Sequence, residues 1–267
     1  MIRILLISFL IVQSFFHEVK AQHEWQLIRA VPQKAFDAWD VDPMGKVIFA
    51  RRDVLTKLDT SFNVEFTQSL KSFGNVTKID ARHALKSLIF SEDQQAIAFI
   101  DNTLTMHKGL KDLTAIDVSF STTASYSAQS SRYWVFDGDN SKLVLIDELK
   151  SRPQVLENLA GLVGAPEIHE ILEIENTLFL LDKSQGIYLF DIYGSFIDFI
   201  PVQNVIGMHY TDNFLFYLTD KTLNRMNLRN RRTRSFELPE ENVNSFRVLG
   251  NYVFLKTPQH LKKYELR

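Results

Sequence analysis

The chain has 267 residues, enough for one large all-β domain or two smaller ones. Hydrophobic residues make up 45% and charged residues 23% of the chain, as in folded proteins with a substantial core. The net charge of −2 gives no indication of a nucleic-acid partner or a membrane surface, and the absence of cysteine excludes disulfides, zinc–thiolate sites and cysteine nucleophiles.

The first 21 residues have the pattern of an export signal. Arg3 provides a basic start, residues 4–16 are largely apolar, and Ala21 places a small side chain at the expected cleavage position. A buried N-terminal helix is the alternative, because the apolar run is too short to span a bilayer. We expect cleavage before Gln22, which leaves residues 22–267 as one exported domain, periplasmic or secreted, in a bacterium and without a lipid-bearing cysteine.

From Trp25 onward, alternating apolar and polar runs are separated by turn residues, and one short pattern recurs. It consists of an apolar residue, two variable residues, a second apolar residue and a polar, usually acidic, residue. Its copies begin at Leu55, Ile97, Leu143, Ile187, Leu223 and Leu261. The copies lie 36 to 46 residues apart, close to the length of a four-stranded propeller blade.

A strongly apolar strand precedes each copy by about nine residues, as in residues 46–50 and 133–136. Near-continuous apolar runs of this length are typical of strands buried on both faces. The links between the two patterns carry turn residues that suit hairpins. The sequence therefore predicts an all-β, six-bladed β-propeller with four antiparallel strands per blade.

The two ends of the chain predict how the ring closes. The last repeat stops at Arg267, directly after its third strand, so that its fourth strand is missing. Residues 24–31 alternate in polarity and precede the first complete repeat. We expect this N-terminal strand to complete the last blade, which would remove an open sheet edge.

One stretch carries a resemblance to a known family. Residues 39–53 read Trp-Asp-Val-Asp-Pro-Met-Gly-Lys-Val-Ile-Phe-Ala-Arg-Arg-Asp, which resembles the inner hairpin of NHL and TolB-like six-bladed propellers. The resemblance implies the fold and a ligand-binding face. Families with this fold also include calcium-dependent lactone hydrolases, so the resemblance leaves an enzyme open.

Two segments of the third repeat depart from the pattern. Residues 119–131 are rich in serine and are expected to form a mobile surface loop, with a partner-contacting loop as the alternative. Residues 153–163 place apolar side chains on one helical face, which predicts a short helix that replaces or extends an outer strand.

The innermost strands carry one polar residue each at an equivalent position, flanked by apolar neighbours that face the other way. These six residues are Asp40, Asp80, Asp117, Glu170, His209 and Arg247. We expect them to form a ring around the central channel. Two interpretations stay open: a hydrated polar channel without a ligand, or a site where Asp40, Asp80, Asp117 and Glu170 bind a cation such as Ca²⁺ and His209 acts as acid, base or ligand.

A cluster of arginines marks a hairpin in the fifth repeat. Its members are Arg225, Arg229, Arg231, Arg232 and Arg234. Such a cluster suits the recognition of carboxylate, phosphate or sulfate groups, which predicts an anionic envelope component or another envelope protein as partner. A solvated hairpin whose charges discourage edge pairing is the alternative.

No catalytic motif is visible in the sequence, neither a nucleophile elbow nor a phosphate loop nor a zinc-binding His pair. We therefore expect an exported, non-catalytic binding or scaffold propeller of the bacterial cell envelope, monomeric and without a membrane span. The rival interpretation is a metal-dependent, calcium-type hydrolase or lyase with its site in the central channel. A purely structural envelope component is a third possibility.

Overall fold

The computed structural model of the chain describes residues 24–32, 36–150, 152–157, 159–164 and 166–267. In this part, 24 strands form six sheets, each of four antiparallel strands. The predicted six-bladed β-propeller is thereby confirmed. The expected export signal, residues 1–21, lies outside the described residues. Among the described helices, none has the length and apolar character needed to cross a membrane.

The strands follow one another from the inner to the outer side of each blade. The first strand of the chain and those of blades 1 and 2 are β1 (Trp25–Pro32), β2 (Ala38–Val41), β3 (Val47–Arg51), β4 (Val54–Leu58), β5 (Val64–Ser69), β6 (Lys78–Asp80), β7 (Ser87–Ser91), β8 (Ala96–Ile100) and β9 (Met106–Asp112). Blade 3 contains β10 (Ser121–Tyr126), β11 (Arg132–Asp137), β12 (Lys142–Asp147) and β13 (Gln154–Leu156). A 3-10 helix (Thr114–Ile116) precedes β10, and a short helix, α1 (Leu159–Val163), follows β13.

Blades 4 to 6 continue the same order. Blade 4 contains β14 (Ile168–Ile174), β15 (Thr177–Asp182), β16 (Gly186–Asp191) and β17 (Phe196–Ile200). Blade 5 contains β18 (Gly207–Thr211), β19 (Phe214–Leu218), β20 (Thr222–Asn227) and β21 (Thr233–Glu237). Blade 6 contains β22 (Ser245–Leu249), β23 (Tyr252–Lys256) and β24 (His260–Leu266), with β1 as its fourth strand.

The N-terminal strand closes the ring, as expected from the sequence. β1 pairs antiparallel with β24, from Trp25 opposite Leu266 to Pro32 opposite His260. The Trp25 side chain is only 6% exposed and meets the ring of Tyr264 edge-on at 5.7 Å. Its indole N–H donates to the backbone oxygen of Glu237 in blade 5, at 2.7 Å. The start of the folded domain is thus bound both to its last sheet and to the preceding one.

The apolar residues of the middle strands form the core between neighbouring blades. Ile48 and Leu55 of blade 1 share one cluster with Ile89 and Ala98 of blade 2, and all four are almost fully buried. Similar clusters lie between the other blades. Each sheet buries both faces in this way, which explains the near-continuous apolar runs of the middle strands and leaves the innermost strands free to carry polar residues.

The serine-rich segment of blade 3 is not a surface loop, and that prediction is wrong. Its central part, Ser121–Tyr126, forms β10, the innermost strand of the blade, and the side chains of Ser121, Thr123 and Ser125 are buried. The Thr122 hydroxyl donates to the backbone oxygen of Ile168 in blade 4, at 2.9 Å. Small hydroxyl residues fit here because the inner strands converge. The hydroxyls of Thr122 and Ser125 bond to the neighbouring blades, whereas that of Ser121 bonds to the backbone of its own strand.

The segment predicted as a helix in the same blade is divided between two elements. Its first part is β13, the outer strand, and its second part is the short helix α1. Leu156 and Leu159 are both buried in the core between blades 3 and 4. Only part of the predicted apolar face meets the core, because Val155 and Leu162 are 39% and 52% exposed. The short helix extends the outer strand.

Candidate functional site

The central channel opens into a cavity at each end. The wide mouth, a cavity of about 780 Å³, lies on the face that bears turns between the second and third strands, such as those at Gly138 and Lys183. The narrow mouth, about 290 Å³, lies on the opposite face. Three charged side chains line both cavities and therefore mark the constriction between them: Lys78, Glu170 and Arg247.

Asp40 and Arg247 connect the first and last blades at this constriction. The Arg247 Nε donates to Asp40 Oδ1 at 2.6 Å, and its Nη2 donates to the backbone oxygen of Trp39 at 3.0 Å. The second oxygen of Asp40 accepts from the backbone N–H of Ala81 in blade 2, at 2.7 Å. One carboxylate thus bonds to both neighbouring blades.

Asp80 repeats this arrangement one blade further on. It accepts from the backbone N–H of Tyr126 at 2.9 Å and from the Ser125 hydroxyl at 3.1 Å, both in blade 3. Arg82 donates to its other oxygen through Nε at 2.9 Å. Burial alone would raise the pKa of Asp80, but the charge of Arg82 and these hydrogen bonds outweigh burial and lower the pKa to about 2. Asp80 is therefore ionised at all physiological pH values.

Asp117 does not belong to the ring, and that prediction is wrong. It ends the 3-10 helix in a left-handed conformation with φ of 63°, and its side chain is fully exposed. The sequence Ile116-Asp117-Val118 imitates the alternation of an inner strand, but the true inner strand follows it as β10. Ser125 occupies the equivalent place in blade 3. The backbone N–H of the next residue, Tyr126, donates to Asp80, just as the backbone N–H of Ala81, which follows Asp80, donates to Asp40.

Glu170 and His209 line the channel on blades 4 and 5. A Glu170 oxygen accepts from the backbone N–H of Met208 at 2.8 Å. Burial, reinforced by the positive charge of Arg247, lowers the pKa of His209 to about 4. The imidazole is therefore neutral near pH 7.

Lys78 is the channel residue that the sequence analysis missed. It lies two positions before Asp80 on β6, so both side chains point to the channel face. Other blades have small residues at this place, such as Ala38, Gly207 and Ser245. That exception was the available signal. Burial lowers the pKa of Lys78; the charge of Glu170 opposes this shift, and that of Arg247 adds to it.

The residues predicted to hold Ca²⁺ do not fit a cation site. In the described part of the chain, no three His, Asp or Glu side chains are grouped so that they could share a metal ion. Asp117 lies outside the channel, Asp40 is bonded to Arg247, and Asp80 is bonded to Arg82. Because arginines already neutralise the two ring aspartates, we derive no step through a metal.

The arginine hairpin divides into members that stabilise the fold and members that face solvent. Arg225 lies over the rings of Phe214 and Phe236, at 4.9 and 5.5 Å. Arg234 also lies over Phe236, at 4.6 Å, and forms an ion pair of 2.9 Å with Glu24. These two arginines pack on aromatic rings. Arg229, Arg231 and Arg232 are exposed.

Comparison with known proteins supports the fold and gives no family. No family model matches the chain, and no curated protein matches it. Among solved structures, a streptogramin B lyase is similar with a TM-score of 0.66 and 11% identity over 92% of this chain and 99% of that chain. Virginiamycin B lyase from Staphylococcus aureus is similar with a TM-score of 0.66 and 9% identity, over 91% of this chain and 100% of that chain.

A catalytically inactive histidine-to-alanine variant of the Staphylococcus aureus enzyme, solved with quinupristin, has a TM-score of 0.62 and 12% identity. It covers 87% of this chain and 82% of that chain. At this level of identity the likeness shows the six-bladed propeller fold alone.

The expectation of a non-catalytic scaffold is corrected by these findings. It rested on the absence of a catalytic motif from the sequence. That absence is no argument against an enzyme, because the three solved propellers named above are lyases that share this fold. The channel also brings together ionisable side chains that are far apart in the sequence, namely Lys78, Glu170, His209 and Arg247. A motif search has no means of finding such a site.

Proposed function

We propose that the chain is a lyase that eliminates a leaving group from a small carbonyl compound at the floor of the wide mouth. The observation that carries the proposal is the placement of the Lys78 amine and the Arg247 guanidinium, which both line this cavity at the constriction of the channel. Burial also lowers the pKa of Lys78. A lysine becomes a useful base near neutral pH when burial and a nearby cation lower its pKa.

The proposed reaction needs one base and one positive group. The Lys78 amine, in its unprotonated form, removes the proton next to the carbonyl, and the C–H electron pair forms an enolate. The enolate then forms a carbon–carbon double bond as the bond to the leaving group breaks. The Lys78 ammonium returns its proton to the leaving group. Atoms and charge therefore balance without a further reactant.

Arg247 is suited to stabilise the enolate oxygen. Its guanidinium is fixed by the bonds to Asp40 and Trp39 and by its position over the Trp39 ring, at 5.2 Å. Burial alone would lower the pKa of Arg247, but the charges of Asp40 and Glu170 raise it. A permanently charged donor that is held in place is well suited to stabilise the negative charge that develops in the transition state.

Two further features support this proposal. Both solved enzymes named above are lyases with the same fold and nearly the same length. Residues 1–21 have the pattern of an export signal, and residues 39–53 resemble the inner hairpin of NHL and TolB-like propellers. Both features favour an exported six-bladed propeller. Virginiamycin B is therefore the first natural compound to assay.

The proposal is tested with a chromogenic elimination substrate, 4-(4-nitrophenoxy)butan-2-one. Base removal of the proton next to the ketone releases nitrophenolate, whereas an acyl-transfer hydrolase cannot cleave this aryl ether. Nitrophenyl acetate reports hydrolysis separately. We expect the chain to release nitrophenolate from the ketone, and Lys78→Met to lose about 100-fold or more in rate.

The matched control is Lys263→Met. Burial also lowers the pKa of Lys263, but this lysine lies on β24, over the ring of Tyr252 at 4.0 Å and away from the channel. We expect this variant to keep the wild-type rate. Equal rates for Lys78→Met and wild type, or turnover of the acetate alone, would contradict the proposal.

A further inference from the structure

A third cavity lies between blades 4 and 5, on the face of the narrow mouth. It has a volume of about 220 Å³ and is bordered by the turns β14–β15, β18–β19 and β20–β21. We call it the blade 4–5 pocket. The lining residues used below are Ile174, Phe179, Leu189, Ile197, Arg229 and Arg231.

The floor of the blade 4–5 pocket is apolar. Ile174, Phe179 and Leu189 are 6%, 3% and 1% exposed and belong to the core between blades 4 and 5. At the rim, the side chain of Ile197 is 50% exposed. An open depression with such a floor gains free energy when an apolar group displaces its water.

Two arginines of the hairpin line the pocket, together with one carboxylate, that of Glu175. The N–H of Arg229 donates to the Asn227 side chain at 3.0 Å, and the N–H of Arg231 donates to the Asn227 backbone oxygen at 2.9 Å. These bonds fix the turn, in which Arg231 has a φ of 58°. Among the described residues, Arg229 has no ion-pair partner. Arg231 pairs with Asp198 at 3.2 Å, and both side chains are about half exposed.

We propose that the blade 4–5 pocket binds an organic carboxylate with a short apolar body. The body would lie on Phe179 and Leu189, and the carboxylate would bond to Arg229 and Arg231. The volume suits one aromatic ring or a short acyl chain, since pockets for drug-sized ligands begin at about 300 Å³. The carboxylate of Asp198 already forms an ion pair with Arg231, so this guanidinium can bind a carboxylate at the open rim of the pocket.

This inference stands on residues separate from the proposed lyase site. The blade 4–5 pocket lies on the opposite face from the wide mouth, and the two cavities share no lining residue. Either proposal can therefore fail while the other stands.

The test is isothermal titration calorimetry of residues 22–267 with sodium octanoate. We expect one saturable site per chain. The double variant Arg229→Ala, Arg231→Ala should weaken binding about tenfold or more, because both charge-assisted hydrogen bonds are lost. Asp198→Asn should tighten binding a few-fold, because it frees Arg231 from its competing carboxylate.

Two controls make the result specific. Arg232→Ala removes an exposed arginine of the same hairpin that does not line the pocket, and it should leave octanoate binding unchanged. Lys78→Met changes the channel and not the pocket, and it should also leave octanoate binding unchanged. The proposal is overturned if no saturable binding is found, if the folded double variant binds like wild type, or if octan-1-ol or inorganic sulfate binds as tightly as octanoate.

Discussion

Arg247 and Asp40 form an ion pair across the boundary between the last blade and the first. Nε and Oδ1 are 2.6 Å apart, and the two side chains are only 15% and 10% exposed. Trp39 takes part through its backbone oxygen, which accepts from Arg247, and through its ring. The ring of blades is therefore closed twice: by β1 on its outer side and by this ion pair at the channel.

Replacing Arg247 by alanine should destabilise the fold substantially. The change leaves the buried Asp40 carboxylate without its counter-charge, and we expect a loss of about 2–3 kcal/mol in the free energy of unfolding. Urea denaturation followed by tryptophan fluorescence measures it. Lys46→Ala, which breaks the more exposed pair with Glu65, should leave the midpoint almost unchanged. Equal effects would contradict the role of the boundary pair.

Trp25→Ala should open the closing strand. Truncation removes a buried indole, its contact with Tyr264 and its bond to Glu237, so that we expect a loss of about 3–5 kcal/mol. An unpaired β24 should also promote dimers, which light scattering detects. Leu27→Ala, at an exposed position of the same strand, is the control. An unchanged denaturation midpoint for Trp25→Ala would show that β1 is dispensable.

The blade count and the closing strand could be predicted because they depend on periodicity. Middle strands buried on both faces must be apolar, and the same pattern recurs in every blade. β10 could not be recognised in this way, because its serines are typical of loops when read without their partners. Only the fold supplies those partners, such as Asp80 for Ser125 and the Ile168 carbonyl for Thr122.

The stability of the protein should fall between about pH 6.5 and pH 4 because of His209. Its pKa is about 4 in the folded state and 6.5 when unperturbed, so the unfolded chain binds more protons in this window. Stability contributed by the neutral imidazole is thus present above pH 6.5 and is lost as the pH falls, by roughly 2 kcal/mol.

His209→Asn should flatten the stability curve in that window. The measurement is a series of urea denaturations from pH 7 to pH 4. Asp80, with a pKa of about 2 against an ordinary value of 3.8, contributes below this range, so the two effects are separable. A wild-type slope that persists in His209→Asn would contradict the assignment.

Ser125→Ala should lower the free energy of unfolding more than Asp117→Ala. The sequence analysis implied the reverse, because it placed Asp117 in the channel ring and Ser125 in a surface loop. The Ser125 hydroxyl bonds to Asp80 at 3.1 Å and to Arg82 Nη2 at 3.0 Å, and we expect its removal to cost about 1–2 kcal/mol. Asp117 is fully exposed, so its replacement should cost less, within about 1 kcal/mol, chiefly because alanine tolerates the left-handed φ of 63° less well than aspartate. Thermal denaturation of both variants decides; a larger effect at Asp117 would restore it to the ring.

The site was predictable in part, for a reason that Lys78 makes clear. Alternation along a strand identified the face of Asp40, Asp80, Glu170, His209 and Arg247, which line the channel as expected. Alternation does not say how the charges of different blades combine around one side chain. The two ring aspartates are bonded to arginines, whereas the environment of Lys78 combines residues from blades 2, 4 and 6 and exists only in the folded ring.

The most direct test of the proposed lyase is the pH dependence of nitrophenolate release from 4-(4-nitrophenoxy)butan-2-one. The rate should rise as Lys78 loses its proton and should level off at a pKa below the ordinary 10.5, because burial and Arg247 favour the neutral amine. Arg247→Gln should lower the plateau and move the inflection to higher pH. A rate that follows hydroxide alone, with the same profile in Lys78→Met, would contradict the account.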